Sequence, residues 1–296
     1  MRHMRTAHPD FALEAAGDGG FHVLWKRRPV GRTQPLEGLT RAAMADCFIV
    51  GTGPSVAELD FPRLRGRVCF GVNGSILKSA ECQVPFAYHL IQDRQFFLER
   101  FELVQLALGA GPECLLSFRG LSVICEREPA LLADAKVFLL DEISAHYGRP
   151  KLSPEAFDLW AEGDPDLCLH PQARPSEGRV GYSRDIRKGV FTGQTIVYSA
   201  IQVACWLGYR RIFVLGMDLG GSGQSSRFYE LGAQAAPMRL DRDYEPYILP
   251  AFQVAREVLP GLGVALYNVS PNSRMPDAVV PKCSFAEALE MTARSS

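Results

Sequence analysis

The sequence predicts an α/β protein built on a mostly parallel sheet with helices on both faces. Three observations carry that prediction. Short apolar runs end in glycine or another small residue, helical periodicity lies between them, and a strand–helix–strand pitch runs from residue 47 onward. The 296 residues, 47% hydrophobic and 22% charged, suffice for one large domain with a real core.

Residues 1–43 mix charge, Gly and Pro around one strand-like stretch, Phe21-His22-Val23-Leu24-Trp25, followed by the basic run Lys26-Arg27-Arg28. They are expected to form a poorly ordered arm, and translation from Met44 is an alternative start. The compact domain, 44–296, is expected to begin at Cys47-Phe48-Ile49-Val50, a buried parallel strand closed by Gly51. Val56-Ala57-Glu58-Leu59-Asp60 reads as a short helix with Ser55 as its N-cap. Strands follow at Val68-Cys69-Phe70-Gly71-Val72 and Phe86-Ala87-Tyr88-His89-Leu90-Ile91. Phe97, Phe101, Val104 and Leu108 place a helix over 94–108. Leu121-Ser122-Val123-Ile124 and Ala135-Lys136-Val137-Phe138-Leu139-Leu140 are two further strand candidates. The polar, Pro- and Gly-rich stretch from 141 to 188 is expected to supply loops and short helices over the active face. The expected lid region thus covers 141–190 and 222–250. Ile196, Ala200, Val203, Ala204 and Leu207 mark the strongest helix, 195–207, with Gly208 as its C′ residue. Two last strands are read at Arg211-Ile212-Phe213-Val214-Leu215-Gly216 and Val264-Ala265-Leu266-Tyr267-Asn268.

A net charge of −1 sets up no global field toward nucleic acid or an anionic membrane. No run of 18 apolar residues exists and the first twenty residues hold no apolar h-region, so neither a spanning helix nor a secretory signal is expected. The eight cysteines include no C-x-x-C pair, which reads as reduced thiols in a cytosolic protein, with no disulfide framework and no metal site.

In an open parallel sheet, ligands bind at the carboxyl ends of strands. Four such ends carry small or polar groups: Gly51-Thr52-Gly53-Pro54-Ser55, Asn73-Gly74-Ser75, the stretch from Asp218, and Ser270-Pro271-Asn272-Ser273. Gly51 and Gly53 let the backbone approach a ligand, and the N-terminus of the following helix offers free N–H groups to a phosphate or carboxylate. The loop is neither G-x-G-x-x-G nor a P-loop, because Val56 stands at the third glycine position and no Gly-Lys-Ser/Thr follows. Asn73 either forms a turn or hydrogen-bonds a ribose or base. Asp218 either caps the next turn or accepts a proton. Ser222-Gly223-Gln224-Ser225-Ser226-Arg227-Phe228-Tyr229 ends in an arginine suited to a phosphate or a carboxylated sugar. Tyr182, Arg184, Asp185 and Lys188 lie in the polar stretch before Thr195, while His89, His146 and His170 read as packing or surface residues.

Taken together, these motifs resemble a bacterial group of CMP-sugar transferases. One branch is the third-Kdo transferase of the lipopolysaccharide core (Kdo is 3-deoxy-manno-octulosonic acid); the other is the bacterial sialyltransferases. The Kdo branch is matched through Val72-Asn73-Gly74-Ser75, Pro85-Phe86-Ala87-Tyr88, Asp185-Ile186, Thr195-Ile196, Gly216-Met217-Asp218-Leu219, Ser226-Arg227-Phe228-Tyr229, Ile248-Leu249-Pro250 and Tyr267-Asn268. The sialyltransferases share the Gly-Pro-Ser loop, Leu207-Gly208-Tyr209 and Ser270-Pro271-Asn272-Ser273. The resemblance implies a Rossmann-like sheet that binds CMP at Gly51, Thr52, Gly53, Pro54, Ser55, Asn73 and Gly74, with Thr195, Asn272 and Ser273 on the same rim. Arg227 and Lys188 would hold the CMP phosphate or the sugar carboxylate. It also implies metal-independent, inverting transfer with no cofactor beyond the CMP-Kdo donor. Sialyltransferases carry Asn where this chain has Thr52, and a lid His where this chain has none after His170. The base is therefore sought among Asp218, Asp93 and Asp243.

The resulting expectation is a cytoplasmic Kdo transferase working on a lipopolysaccharide acceptor, with Lys26-Arg27-Arg28 touching anionic lipid at the inner face of the membrane at about 1 kcal/mol per charge. Three alternatives stand beside it: a sialyltransferase-like enzyme, a pterin pyrophosphokinase-like enzyme that shares the Gly-x-Gly-Pro-Ser loop, and a nucleotide-binding scaffold.

Overall fold

Cys47, Phe48, Ile49 and Val50 are all buried, so their strand is covered on both faces and sits inside a sheet rather than at its edge. The computed structural model describes residues 7–41, 45–150, 152–173, 175, 179–220, 227–229 and 240–293. Met44 and residues 222–226, on which two expectations fall, lie outside them.

The strands are β1 (Phe11–Ala15), β2 (Phe21–Trp25), β3 (Arg28–Gln34), β4 (Asp46–Val50), β5 (Cys69–Val72), β6 (Tyr88–Ile91), β7 (Glu113–Leu116), β8 (Val137–Leu139), β9 (Leu167–Leu169), β10 (Gly181–Ser183), β11 (Arg211–Leu215) and β12 (Ala265–Asn268). All but the β9–β10 hairpin join one sheet in the order β1-β2-β3-β8-β7-β6-β5-β4-β11-β12. From β3 across to β12 every neighbouring pair is parallel. The chain winds outward from β4 to β8, then returns to lay β11 and β12 on the other side of β4. That reversal makes β4 and β11 a topological switch point, where a crevice opens outside the strand carboxyl ends.

The helices cover both faces, as expected. They are α1 (Ile76–Cys82), α2 (Arg94–Glu99), α3 (Phe101–Gly109), α4 (Phe118–Arg127), α5 (Pro154–Glu162), α6 (Ile196–Leu207), α7 (Leu240–Asp243), α8 (Leu249–Val258) and α9 (Phe285–Ala293). One core gathers α5, α6 and α8 against Cys47, Ile49, Ile212 and Val214. The other gathers α3, α4 and α9 against Phe48, Val50, Phe213 and Leu215. Phe213 stacks on both Phe48 and Tyr267, with ring centroids 5.2 and 5.3 Å apart, tying β4, β11 and β12 together beneath the switch point.

Several expectations are corrected. Residues 11–34 are no loose arm: β1, β2 and β3 extend the sheet, with Phe11, Leu13 and Val23 buried. Their alternating, half-polar pattern is that of edge strands. The basic run is the tip of the β2–β3 hairpin, where Lys26 and Arg27 both have positive φ, 51 and 64°. Leu121-Ser122-Val123-Ile124 is the middle of α4, which Ser117 starts by accepting a hydrogen bond from the Gly120 amide. The helix expected over 94–108 breaks at Arg100. Residues 54–58 make a 3₁₀ turn, in which Ser55 lies inside rather than at the N-cap. Of the stretch 141–190, α5 and the β9–β10 hairpin pack on the face of the sheet that α8 covers rather than over the strand ends. The helix 195–207 is α6, and Gly208 closes it in the left-handed region at φ 98°.

Candidate functional site

Gly51 ends β4 and donates its amide to the Leu215 carbonyl at 2.8 Å, while Gly53 donates to the Gly216 carbonyl at 3.0 Å. The loop after β4 is thereby laid against the end of β11. Gly216 turns that end back with φ 69°. Asp218 follows, and its Oδ2 accepts from both the amide and the hydroxyl of Ser55, each at 3.0 Å. Ser55 Oγ also meets Ser270 Oγ at 3.1 Å, and Ser270 Oγ accepts from the Met217 amide at 2.9 Å. The ends of β4, β11 and β12 are thus one hydrogen-bonded unit.

These strand ends floor a cleft of about 1670 Å³. Thr52, Gly53, Pro54, Ser55, Asn73 and Thr195 line it, as do Asp218, Asn272 and Arg227. Asp93 and Asp243 line it too. The sequence pattern therefore brought most of its candidates to one place. Gly51 instead lies beneath the loop, where a β-carbon would stand 2.8 Å from the Gly216 carbonyl oxygen. Gly74 is buried against the Tyr229 ring, and Ser273 is buried with its hydroxyl donating to the Met217 carbonyl at 2.5 Å. These three shape the cleft without lining it. Lys188 is a correction. Its ammonium is held by Asp164 at 2.6 Å and Asp166 at 2.7 Å, which raise its pKa, and it does not line the cleft.

Asn73 sits in the left-handed region, φ 46°, which Asn tolerates better than most residues. A buried histidine holds it there. His89 Nε2 lies 2.9 Å from the Asn73 carbonyl oxygen, and a carbonyl only accepts, so Nε2 carries the proton. Burial pushes the His89 pKa down to about 4, so the ring is neutral at pH 7. The Asn73 Oδ1 is buried without a partner among the described residues. A ligand donor would satisfy it. The depressed pKa predicts a pH limb. Stability is complete above the ordinary value of 6.5 and falls as the pH drops toward about 4, by roughly 3 kcal/mol for this residue. Urea unfolding of His89→Gln should show a shallower loss over that window than the wild type; equal slopes would contradict the assignment.

Arg94, Arg100, Glu142 and Arg274 are among the cleft residues that were not singled out from sequence. Arg274 lies 3.8 Å above the Tyr244 ring and pairs with Asp241 at 3.1 Å. Glu142 follows β8, whose end no glycine-rich loop advertises. Burial raises the Glu142 pKa; Arg119 opposes that rise, and the Asp141 and Asp93 carboxylates add to it. The other candidates are already engaged. Asp93 Oδ1 caps α2 through the Gln95 amide at 2.9 Å, and the buried Asp243 carboxylate pairs with Arg242 at 2.7 Å. Among the described residues no three His, Cys, Asp or Glu side chains gather as a metal-ligand set, and no helix is long and apolar enough to cross a membrane.

Comparison with known proteins adds identity to this geometry. The family model for 3-deoxy-D-manno-octulosonic acid transferase WaaZ matches residues 33–286. A probable 3-deoxy-manno-octulosonic acid transferase of Escherichia coli (strain K12) is 34% identical over 259 residues, 85% of this chain and 86% of that protein. Its counterpart in Salmonella typhimurium is 27% identical over 260 residues, 85% of this chain and 91% of that protein. Among solved structures, the monofunctional α-2,3-sialyltransferase Cst-I of Campylobacter jejuni aligns with a TM-score of 0.45 at 14% identity, covering 82% of each chain. The MAf glycosyltransferase of Magnetospirillum magneticum AMB-1 aligns with a TM-score of 0.43 at 14% identity, covering 87% of this chain and 38% of that one.

Proposed function

This chain belongs to the WaaZ family of 3-deoxy-D-manno-octulosonic acid (Kdo) transferases, and we propose that it moves Kdo from CMP-Kdo to a lipopolysaccharide core acceptor, with inversion and without a metal ion. The enzyme is a glycosyltransferase; the family assignment sets aside the pterin pyrophosphokinase-like and scaffold readings.

The observation that carries the CMP donor is the switch-point cleft. The loop Thr52-Gly53-Pro54-Ser55 is fastened to Asp218 and Ser270 at the ends of β4, β11 and β12, and Asn73 stands at the end of the adjacent β5 with an open acceptor. Such a crevice suits a nucleotide. Arg227, whose neighbour Phe228 donates its amide to the Thr52 carbonyl, supplies positive charge for the leaving phosphate and the sugar carboxylate. A volume of about 1670 Å³ exceeds the roughly 300–1,000 Å³ of an ordinary small-molecule site, leaving room for an acceptor sugar beside the donor.

The acceptor is a membrane glycolipid, so the cleft must face the bilayer surface. Lys26 and Arg27 lie on the far side of the sheet from the cleft. β3 runs parallel to β8, so the hairpin tip that precedes β3 lies at the amino edge of the sheet, opposite the cleft. Docking through this tip would aim the cleft away from its acceptor.

Incubation of the purified chain with CMP-Kdo and a core acceptor, with EDTA present, tests the proposal. The expected product is heavier by one Kdo residue, with the anomeric configuration inverted by NMR and CMP released. Retention of configuration, loss of turnover on adding EDTA, or transfer only from another nucleotide sugar would overturn it.

A further inference from the structure

Resting on CMP-Kdo as the donor, we propose that Glu142 is the catalytic base that takes the proton from the acceptor hydroxyl. The cleft runs along the strand ends from β12 to β8, six inter-strand steps or about 29 Å at ~4.8 Å each. The loop after β4 and Asn73 after β5 hold the nucleotide at one part of this line. The sugar and its acceptor then extend along the ends of β6 to β8, where Asp93, Arg94 and Glu142 stand.

The carboxylates that line this cleft, among the described residues, are set apart by what they already do. Asp218 Oδ2 holds Ser55 through two hydrogen bonds. Asp243 is buried and paired with Arg242, and Asp241 is 91% exposed and paired with Arg274. Asp93 caps α2, and Glu99 accepts from Gln95 at 2.5 Å. Glu58 stands exposed on its 3₁₀ turn. Glu142 differs from all of them. Its side chain is 27% exposed, and its Oε1 pairs with Arg119 at 3.5 Å, longer than the 2.7 Å pair of Asp243 with Arg242. Its backbone is clamped on both sides: Val190 donates to the Asp141 carbonyl at 3.0 Å, and Ile143 donates to the Val190 carbonyl at 2.9 Å. Gly189, φ 107°, permits that approach, because a β-carbon there would stand 2.8 Å from the Ile143 Cα. A carboxylate on a fixed backbone, drawn back from water, has the proton affinity and the positional definition a general base needs.

In the step, the acceptor oxygen forms a bond to the anomeric carbon of Kdo as the bond from that carbon to the phosphate oxygen breaks. The bonding pair leaves with CMP, and the acceptor proton passes to Glu142. Atoms and charge balance with no co-reactant.

Glu142→Gln is expected to lower kcat by about 10²–10⁴-fold while CMP affinity and thermal melting stay those of the wild type. The acidic limb of the wild-type kcat/KM profile should disappear with it. Arg119→Gln removes the positive neighbour that holds the Glu142 proton affinity down, so its acidic limb should move to higher pH. Glu142→Gln retaining more than a tenth of kcat, or an Arg119→Gln limb that does not move, overturns the assignment. So does parallel loss of activity and CMP affinity in Glu142→Gln. A wild-type chain that neither binds CMP nor turns over CMP-Kdo overturns the donor reading, and this role with it.

Discussion

Replacing Gly53 with alanine is expected to weaken CMP binding by about a hundredfold, ~3 kcal/mol, and to lower the melting temperature by a few degrees. The reason is space, not backbone freedom. Gly53 has φ −64° and ψ 157°, a conformation any residue adopts. Its β-carbon, however, would overlap the Asp218 carboxylate and stand 2.6 Å from the Gly216 carbonyl oxygen. Neither neighbour can yield, since Gly216 is the turn that ends β11 and Asp218 is holding Ser55. The loop must lift off β11, and the amide-to-carbonyl bond from Gly53 to Gly216 goes with it. Gly109→Ala is the matched control, because a β-carbon there meets nothing within 4 Å. Calorimetry on both variants checks the prediction, and unchanged CMP affinity in Gly53→Ala would count against it.

Asp218→Ala should have an effect of similar size by a different route. Two hydrogen bonds from Ser55 to a carboxylate are lost together. At about 1.5–3 kcal/mol for a charged hydrogen bond, the loop loses on the order of 3 kcal/mol of preorganisation. The expected result is a CMP affinity about a hundredfold weaker, with Asp218→Asn intermediate because one amide oxygen can still accept. This outcome separates two roles. A base would show Asp218→Asn cutting kcat at unchanged CMP affinity; a carboxylate that builds the donor loop shows the affinity falling first.

The parts of the fold that could be read from sequence were those where burial is two-sided and the strand ends abruptly. Cys47-Phe48-Ile49-Val50 before Gly51, and Ile212-Phe213-Val214-Leu215 before Gly216, are unbroken apolar runs closed by glycine, and both are central strands. Asn73, Asp218 and Asn272 then fell on one rim because a parallel sheet leaves no other place for them. The edge of the sheet was not legible. Phe11, Leu13 and Val23 alternate with polar residues, and the hairpin tip Lys26-Arg27 takes positive φ without glycine. Leu121-Ser122-Val123-Ile124 favoured a strand by its β-branched residues, and tertiary packing overrode that preference. The cap at Ser117 was the signal that could have identified α4. Lys188 was misplaced because nothing local indicates that Asp164 and Asp166 fold back to meet it. Glu142 was missed because its significance lies in desolvation and in a contact with Arg119, neither of which leaves a motif.

Titrating CMP into the wild-type chain by calorimetry, with EDTA present, tests most directly whether the switch-point cleft holds the nucleotide of the donor. Saturable binding at one site per chain is the predicted result, weakened about a hundredfold in both Gly53→Ala and Asp218→Ala. No heat at millimolar CMP, or binding of ATP or GTP in its place, would contradict it.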